Sequence, residues 1–275
     1  MISILVLTKN ESRNIGRCLH SLSFSDDVVV LDSFSTDDTV AIAESLGARV
    51  YQRNFDDWSS HQNYAVSNLK FKHQWVYYSD ADEVVTPELR DEILAVIKRE
   101  TETPLHSAYR VRYKNMLFGR WIRHCSTYPV WVTRLFRPQH ITWQRLVNPI
   151  PIVQGSTGHL QQHFVHHSFE NGMAAWFDKH NRYSSQEALE ALALPPLSWR
   201  NATDLFTTSV KRRQALKRIS FALPFRPELH FIYRYVLRLG FLDGYAGFLF
   251  CRMMACYETM IVAKEVEARH RARAR

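Results

Sequence analysis

The first hundred residues alternate between short apolar runs and segments whose apolar residues recur at helical spacing. The apolar runs fall at residues 2–7, 28–31, 49–51 and 75–78, and they are typical of strands buried within a sheet. The first of the intervening segments places Ile15, Cys18, Leu19 and Leu22 on one helical face. Strands that alternate with helices predict an α/β fold with a parallel sheet flanked by helices.

Helix boundaries can also be predicted from the sequence. Ser35, with Asp38 three residues later, resembles a capping box, and Gly47 is suited to ending the helix that follows. Thr86 before Pro87 predicts the start of another helix, because threonine caps helices and proline is favoured at the first helical position. Further helices are expected at residues 62–69 and 172–194, the last ended by Pro195 and Pro196.

Three polar clusters follow three of the predicted strands. They occupy residues 8–11, 32–33 and 80–83. Ligands of open α/β sheets bind beyond the carboxyl ends of the strands, so these clusters are expected to meet at one edge. This convergence predicts a binding site built from separate parts of the chain.

The third cluster, Asp80-Ala81-Asp82-Glu83, is suited to holding a divalent cation. Mg²⁺ and Mn²⁺ prefer carboxylate oxygens and often use one or two protein carboxylates together with substrate phosphates. Acidic pairs at strand ends are common, so the motif alone is weak. Its place beside two other polar strand ends strengthens the prediction of a metal site.

The net charge of +8 is concentrated in the middle of the chain. Residues 103–169 contain no Asp or Glu, and the remaining 27 basic residues balance the 27 acidic ones. The basic residues of this segment are Arg110, Arg112, Lys114, Arg120, Arg123, Arg134, Arg137 and Arg145. Such a segment indicates an anionic ligand or surface, with an ordinary solvated face as the alternative. Nucleic acid is disfavoured because no nucleic-acid motif is present.

The chain resembles family 2 glycosyltransferases, in the branch that builds bacterial lipopolysaccharide cores and exopolysaccharides. The similarity extends over nearly the whole sequence. The matching motifs are Ile4-Leu5-Val6-Leu7-Thr8-Lys9-Asn10-Glu11, Val30-Leu31-Asp32-Ser33-Phe34-Ser35-Thr36-Asp37-Asp38-Thr39, His61-Gln62-Asn63-Tyr64-Ala65, Ser79-Asp80-Ala81-Asp82-Glu83, Arg134-Leu135-Phe136, His166-His167-Ser168-Phe169, Lys179-His180-Asn181-Arg182-Tyr183-Ser184 and Gly240-Phe241-Leu242-Asp243-Gly244.

The resemblance implies a GT-A fold, a Rossmann-like and mostly parallel sheet flanked by helices, with a C-terminal helical extension. The implied GT-A domain covers residues 1–185, with a nucleotide-sugar-binding half at 1–102 and an acceptor-side half at 103–185. The remaining residues, 186–275, would form the extension.

The resemblance also implies roles for individual residues. The nucleotide-sugar donor would contact Thr8, Asn10, Glu11, Asp32, Ser33, Asp80 and Arg134. Asp32 would face the base and Asp80 the ribose, while Arg134 would hold the diphosphate or an anionic acceptor. Mg²⁺ or Mn²⁺ would be bound by Asp82, with Asp80 and His166 as further candidates.

The catalytic base is where the sequence departs from the family pattern. Much of the family has a carboxylate late in the GT-A domain, whereas Val147-Asn148-Pro149 occupies roughly that region here, and neither an amide nor proline accepts a proton at neutral pH. Glu170, Asp178 or a histidine, His166 or His167, could serve instead. An acceptor that is already ionised, such as a polyprenyl phosphate, would need no protein base.

The expected reaction is transfer of a sugar, with inversion, from a UDP-linked donor to a lipopolysaccharide, exopolysaccharide or lipid-linked acceptor. One rival is a nucleotidyltransferase, which usually has a Gly- and basic-rich loop after the first strand instead of Thr8-Lys9-Asn10-Glu11. A rival of another class is a non-catalytic protein that binds anions or a membrane surface.

The C-terminal region is apolar but repeatedly interrupted by charge. Residues 221–263 contain no uninterrupted run of 18 apolar residues, and a basic cluster lies at residues 211–218. An interfacial helical surface and an ordinary packed helical subdomain are both compatible with this pattern. The four scattered cysteines are expected to be free thiols. A cytoplasmic protein, peripheral on the inner face of the membrane, is therefore expected.

Overall fold

The computed structural model describes residues 1–145, 149–193 and 225–273, which form two compact units. The first unit comprises Met1–Arg123 and Thr127–Gly172, and the second comprises His124–Ser126 and Met173–Arg275. The predicted boundary between residues 185 and 186 falls within a helix of the second unit and stays a prediction. Residues 147 and 148, the two prolines at 195–196 and the basic cluster at 211–218 lie outside the described residues.

The first unit is built on a mixed sheet. The strands of this unit are β1 (Ser3–Thr8), β2 (Val28–Asp32), β3 (Arg49–Gln52), β4 (Val76–Asp80), β5 (Glu83–Val85), β6 (Ala108–Leu117), β7 (Arg120–Trp121), β8 (Trp131–Phe136), β9 (Ile141–Gln144), β10 (Ile150–Val153) and β11 (Thr157–His166). The sheet runs in the order β3-β2-β1-β4-β8-β6-β11-β5, with β7 paired to β6. A separate two-stranded sheet joins β9 and β10.

The parallel half of the sheet is the one that the sequence predicts. Strand β1 pairs in parallel with β2 and with β4, and β2 pairs in parallel with β3. The helices of this unit are α1 (Ile15–Ser21), α2 (Thr39–Ser45), α3 (Trp58–Asn68) and α4 (Pro87–Glu102). The predicted α/β class, with strands and helices alternating, is therefore confirmed.

Two apolar layers cover the two faces of this sheet. One contains Ile4, Val6, Ile15 and Ile93 and lies between the sheet and helices α1, α2 and α4. The other contains Leu5 and lies between the opposite face and α3. The alternation of Ile4, Leu5 and Val6 between layers follows from the two-residue period of a strand. Because β1 is buried on both faces, its residues from Ile4 to Leu7 are all apolar.

The helix starts were predicted with mixed success. Thr86 caps α4 as expected, since its side-chain oxygen accepts from Leu89 N at 3.2 Å. The capping box was wrong, because α2 begins at Thr39 without a side-chain cap. Ser35 instead donates to Asp32 Oδ1 at 2.5 Å, which commits its hydroxyl to the preceding strand end.

The second half of this unit contains longer strands than the sequence indicates. Strands β6 and β11 each have ten residues and lie parallel, with a register shift between His159 and His163. Strand β8 lies antiparallel between β4 and β6 and joins the two halves. Strands β6, β8 and β11 therefore belong to the same sheet as the parallel half.

The second unit is mainly helical. Its described helices are α5 (Gly172–Ala193), α6 (Arg226–Ile232), a π-helical turn (Tyr233–Leu237), a 3₁₀ turn (Gly240–Asp243) and α7 (Gly244–Arg273). The predicted helical extension is therefore confirmed in the residues described. By length and hydropathy, residues 240–272 form one helical segment that could cross a membrane, with 33% of its most apolar window buried.

The Gly240–Gly244 motif holds the loop His124–Ser126 within this second unit. Asp243 is buried, and its carboxylate accepts from the backbone N–H groups of His124 and Cys125 at 2.8 Å each. A Cβ atom on Gly240 would lie 2.6 Å from the Arg234 carbonyl oxygen and 3.0 Å from Cys125 Cβ. Only glycine fits this approach without movement of the backbone. All four cysteines are free thiols, as expected.

Candidate active site

The carboxyl ends of the three central parallel strands bring Thr8, Asp32 and Asp80 onto one edge of the sheet. Thr8 is the register partner of Asp32, and Leu7 is the partner of Asp80. Adjacent strands lie about 4.8 Å apart, so Thr8 and Asp32 are neighbours on one face, while Asp80 ends the next strand on the opposite face. The sequence-predicted convergence therefore corresponds to the observed strand register.

Asp32 is buried and fixed by hydrogen bonds. Its carboxylate accepts from the Ser35 backbone N–H at 2.9 Å, from the Ser35 hydroxyl at 2.5 Å and from Gln52 Nε2 at 3.1 Å. A buried carboxylate with several fixed donors keeps one orientation. This geometry suits recognition of a planar, hydrogen-bonding group such as a base.

The loops after β1 and β2 are joined to each other. Asn10 has a φ of 55°, its N–H donates to Ser35 Oγ at 2.7 Å, and its Oδ1 accepts from Thr36 N at 2.8 Å. Glu11 N donates to Thr39 Oγ1 at 2.8 Å. These hydrogen bonds hold the two loops in one fixed arrangement, which we call the loop pair. Thr8 Oγ1 is buried and has no hydrogen-bond partner within the described parts of the chain.

Ser33, at the start of the second loop of this pair, contacts a buried histidine. Ser33 Oγ lies 3.3 Å from His61 Nε2, and Arg53 Nη1 lies 3.0 Å from His61 Nδ1. Burial, together with the Arg53 charge, lowers the pKa of His61 to about 4. His61 is therefore neutral at pH 7, and it supports Ser33 without adding charge.

Arg134 lies buried between two carboxylates. Its Nη2 is 2.6 Å from Asp80 Oδ2 and also contacts Glu83 Oε1, while its guanidinium lies 4.3 Å from the centre of the Tyr78 ring. Tyr78 OH donates to Asp80 Oδ1 at 2.5 Å. Burial raises the pKa of Glu83, and the Arg134 charge opposes that shift. Arg134 thus neutralises and orients the acidic cluster.

Asp82 lies against the end of β11. His166 Nε2 is 3.2 Å from Asp82 Oδ2, and His167 N donates to the Asp82 carbonyl at 2.8 Å. Burial would lower the pKa of His166, but the carboxylates of Asp82, Glu83 and Asp80 outweigh it and raise that pKa. The structure therefore brings together Asp82 and His166, which are 84 residues apart.

The chemistry of this pair fits a divalent cation. No group of three or more His, Cys, Asp or Glu side chains within the described residues is arranged to hold a metal. Asp82 and His166 could offer one oxygen and one nitrogen, whereas both Asp80 oxygens already accept from Tyr78 and Arg134. Mg²⁺ and Mn²⁺ sites often combine few protein ligands with substrate phosphates, and imidazole favours a transition metal over Mg²⁺.

The candidate bases occupy different places. Glu170 is exposed, its Oε1 lies 3.4 Å from His167 Nδ1 and 3.9 Å from Arg17 Nη1, and it lines a cleft with Met116 and Phe118. Burial and the Arg17 charge lower the pKa of His167. Asp178 is exposed on α5, in the second unit.

Three residues that position the side chains of this site were not predicted to do so from the sequence. Tyr78 orients Asp80, Gln52 donates to Asp32, and Ser35 joins the two loops. The signal for Tyr78 was available, because residues two apart in a strand share a face. Gln52 ends the neighbouring strand β3, a position from which a pairing with Asp32 could have been inferred.

Together, a parallel sheet with a fixed Asp32 and an acidic cluster at its carboxyl edge defines a ligand site of the kind that open α/β sheets carry. The sequence profile "Glycosyl transferase family 2" matches residues 3–162. The chain therefore belongs to glycosyltransferase family 2, and the predicted family and GT-A fold are confirmed, whereas the lipopolysaccharide and exopolysaccharide branch stays a prediction.

Relatives of known sequence carry the same description. A glycosyltransferase of Rickettsia felis is 26% identical over 98% of this chain and 94% of its own length. A second, from Rickettsia conorii, is 44% identical over 34% of this chain, and a third, from Rickettsia bellii, is 37% identical over 40%. These two matches span only 32% and 37% of the relatives' own lengths.

Solved structures show weaker similarity. Residues 1–349 of TarS from S. aureus, in complex with UDP-GlcNAc, give a TM-score of 0.45 at 16% identity over 92% of this chain and 90% of that chain. Glucosyl-3-phosphoglycerate synthase from Mycobacterium tuberculosis, in complex with Mn²⁺ and UDP, gives 0.34 at 22% identity over 42% of this chain and 44% of that one.

Proposed function

We propose that this family 2 glycosyltransferase transfers a hexose from a UDP-linked donor, with inversion, to an anionic glycan or lipid-linked acceptor. The observation that carries the proposal is the placement of Asp32, Asp80 and Asp82 along one edge of the sheet, each with fixed partners. An edge of this kind can bind a base at one end and a diphosphate at the other.

The donor would lie along this edge with its base at Asp32. The Asp32 carboxylate can accept from a base N–H, and next to it lies the buried Thr8 hydroxyl, which has no hydrogen-bond partner among the described residues. Asp80, held by Tyr78 and Arg134, would accept from the ribose hydroxyls. These contacts favour a uracil nucleotide because uracil offers an N–H between two carbonyl groups.

Asp82 and His166 would hold Mn²⁺ or Mg²⁺ beside the diphosphate. The metal, when bound, supplies positive charge that stabilises the departing diphosphate. Asp82 and His166 orient each other across 3.2 Å, so both side chains face this position. Arg134 is committed to Asp80 and Glu83 and would act on the diphosphate only through them.

The acceptor oxygen would attack the anomeric carbon as the bond to the diphosphate oxygen breaks. A hydroxyl acceptor must lose a proton, and Glu170, with His167 at 3.4 Å, is the candidate base of the first unit. Asp178 is the alternative candidate on α5. A phosphate acceptor needs neither, which agrees with the absence of acidic residues from residues 103–169.

A membrane surface is the proposed location of the acceptor. Large apolar side chains of the second unit are exposed over residues 225–248, among them Phe225 at 76%, Leu237 at 70% and Tyr245 at 75%. Groups of exposed, large apolar side chains are typical of surfaces that bind a partner or a membrane. Amphipathic helices with basic flanks lie in the plane of anionic bilayers, so peripheral attachment to the inner face of the membrane is proposed.

The donor site is tested by measuring UDP release from a panel of UDP-sugars with and without Mn²⁺. Asp82→Asn removes the negative charge at the metal position and should lower turnover by about 100-fold or more. Asp91→Asn, on the exposed side of α4, is the matched control and should leave turnover unchanged. Equal turnover by Asp82→Asn and the parent protein would refute the metal site.

The membrane proposal has a separate test. Flotation with vesicles containing anionic lipid should carry the parent protein upward, and Leu237→Glu with Tyr245→Glu should abolish flotation. Leu94→Glu, an exposed apolar position on α4 in the first unit, is the control. Flotation that is unaffected by the double change would refute this attachment surface.

A further inference from the structure

A group of cationic and aromatic side chains lies on the C-terminal half of the sheet and has no part in the donor site. On β6, Tyr109, Val111 and Tyr113 pack toward the apolar core, so Arg110, Arg112 and Lys114 extend from the opposite face. Trp131 on β8 is the register partner of Arg112. We call Arg112, Lys114, Trp121, Tyr128 and Trp131 the cation–aromatic platform.

The platform is held together by contacts between charges and rings. The Arg112 guanidinium lies 5.7 Å from the centre of the Trp131 ring and 6.0 Å from that of Tyr128. Lys114 Nζ lies 4.7 Å from the centre of the Trp121 ring. Trp121 and Tyr128 meet edge to face at 5.1 Å. These contacts fix the positions of both charges and rings.

The positive charge of the platform is not neutralised by the described protein. Arg112 and Lys114 form no ion pair with a carboxylate in residues 1–145, 149–193 and 225–273. Their stretch of sequence, residues 103–169, contains no Asp or Glu. Arg112 Nε and Trp121 Nε1 are also buried N–H donors for which the described part of the chain supplies no acceptor. Unneutralised charge and unused donors together indicate an anionic ligand.

The aromatic rings narrow the class of ligand. Trp121, Tyr128 and Trp131 are half-buried, so each ring keeps part of its surface available. The C–H groups of a sugar ring are apolar and pack on aromatic faces, whereas free phosphate has no such surface. A site that combines flat rings with two fixed cations therefore suits a saccharide carrying a phosphate group.

The platform lies on β6, the strand that pairs with β11, and the proposed metal position is at the end of β11. Strand β6 continues from Lys114 to Asn115, which is the register partner of His166, and His166 contacts Asp82. A strand rises about 3.3 Å per residue, so Arg112 and Asn115 are about 10 Å apart along β6. Side chains alternate along a strand, so Asn115 and His166 lie on the face opposite to that of Arg112 and Lys114. A saccharide on the platform would reach the metal position by way of the carboxyl edge of the sheet, where β6 and β11 both end.

We propose that the cation–aromatic platform binds a phosphorylated saccharide portion of the acceptor. Arg112 and Lys114 bind its phosphate, and Trp121 and Trp131 pack against its sugar rings. This inference rests on the proposed function, because it assigns the acceptor of that reaction, but the binding itself can be measured without turnover.

The test is calorimetric titration of the parent protein with maltose 1-phosphate and with maltose. We expect the phosphorylated sugar to bind at least about ten-fold more tightly, with affinity that falls as salt rises. Arg112→Gln with Lys114→Gln should remove this preference. Arg90→Gln with Lys98→Gln, on α4, changes the charge equally and should retain it.

A second variant separates stacking from charge. Trp121→Leu should weaken binding of maltose 1-phosphate and maltose by a similar factor, because both lose the same ring. Circular dichroism of each variant establishes that it is folded. Equal affinity of the parent protein for both sugars, or a preference that survives in Arg112→Gln with Lys114→Gln, would overturn the platform. Binding only when the saccharide phosphate carries a prenyl chain would also overturn it, in favour of lipid recognition.

Titration of the parent protein with UDP and Mn²⁺ distinguishes failure of the platform proposal from failure of the proposed donor site. Binding of UDP and Mn²⁺ without binding of maltose 1-phosphate refutes the platform and leaves the proposed donor site standing. Binding of maltose 1-phosphate without binding of UDP refutes the donor site and supports the platform.

Discussion

At the scale of single residues, Arg134 determines whether the acidic cluster can exist. Glu83 is 2% exposed and Arg134 is 8% exposed, so neither charge is well solvated. The guanidinium contacts Glu83 and Asp80 at once and lies over the Tyr78 ring. Removing one member of a buried ion pair leaves the other charge uncompensated, which costs more than the pair contributes.

Arg134→Met is therefore expected to lower the free energy of unfolding by about 3 kcal/mol at pH 7. Arg134→Met combined with Glu83→Gln should recover part of that loss, because the uncompensated carboxylate is gone. Urea unfolding of the parent, both single variants and the double variant measures the coupling. Additive losses would show that the pair is not coupled. Arg137→Met is the control and removes a guanidinium that lies 4.9 Å from the centre of the Trp75 ring. It should lower the free energy of unfolding by less than Arg134→Met does.

At the scale of elements, the start of helix α4 is fixed both by a local capping bond and by a contact with a distant strand. Thr86 Oγ1 accepts from Leu89 N and donates to the His163 carbonyl at 3.2 Å, so one hydroxyl caps α4 and contacts β11. The cap was predictable from Thr86-Pro87, but the contact with β11 was not. The capping box at Ser35 failed for a local reason, since the Ser35 hydroxyl bonds back to Asp32, three residues earlier, instead of capping α2.

Thr86→Ala should lower the free energy of unfolding by about 1 kcal/mol or slightly more, because it removes the cap and the bond to β11. Thr86→Ser keeps the oxygen and should recover most of the loss. Thr101→Ala, exposed near the end of the same helix and bonded to Ile97 O, is the control and should change stability by less than about 0.5 kcal/mol. Chemical unfolding with urea distinguishes these outcomes, and equal losses at 86 and 101 would contradict the capping role.

At the scale of the whole molecule, buried histidines link stability to pH in both units. Burial lowers the pKa of His61 in the first unit, and of His180 and His230 in the second, to about 4 from an ordinary 6.5. Between those values the unfolded chain takes up protons that the folded chain does not. Stability is therefore present above pH 6.5 and is lost as pH falls toward 4. His166, whose pKa is raised, acts in the opposite direction.

The free energy of unfolding is thus expected to fall on acidification below pH 6.5, by up to about 1.4 kcal/mol per pH unit for each buried histidine. His180→Gln should reduce the slope of this fall, whereas His20→Gln, at an exposed position, should not. Thermal unfolding at constant ionic strength from pH 7.5 to 4.5 provides the measurement. A stability that rises on acidification would show that the raised pKa of His166 outweighs the lowered pKa values of the other histidines.

Much of the donor half of the site could be read from the sequence. Thr8, Asp32 and Asp80 were placed at strand ends by local apolar runs, and strand register then brought them to one edge of the sheet. The partners of these residues were harder to foresee. Tyr78 is two positions from Asp80, but Arg134 lies 54 residues further along the chain, and its pairing depends on β8 joining β4.

Local sequence accounts for the alternation of strands and helices, the polar strand ends, the start of α4 and the concentration of positive charge in residues 103–169. Each depends on residues close together in the chain, where backbone periodicity and side-chain chemistry act directly. Three features required the folded chain: Arg134 neutralises Asp80 and Glu83, His166 contacts Asp82, and Arg112 and Lys114 lie against aromatic rings. These contacts depend on sheet order, register and burial, which pairs of distant segments establish only when the whole core is packed.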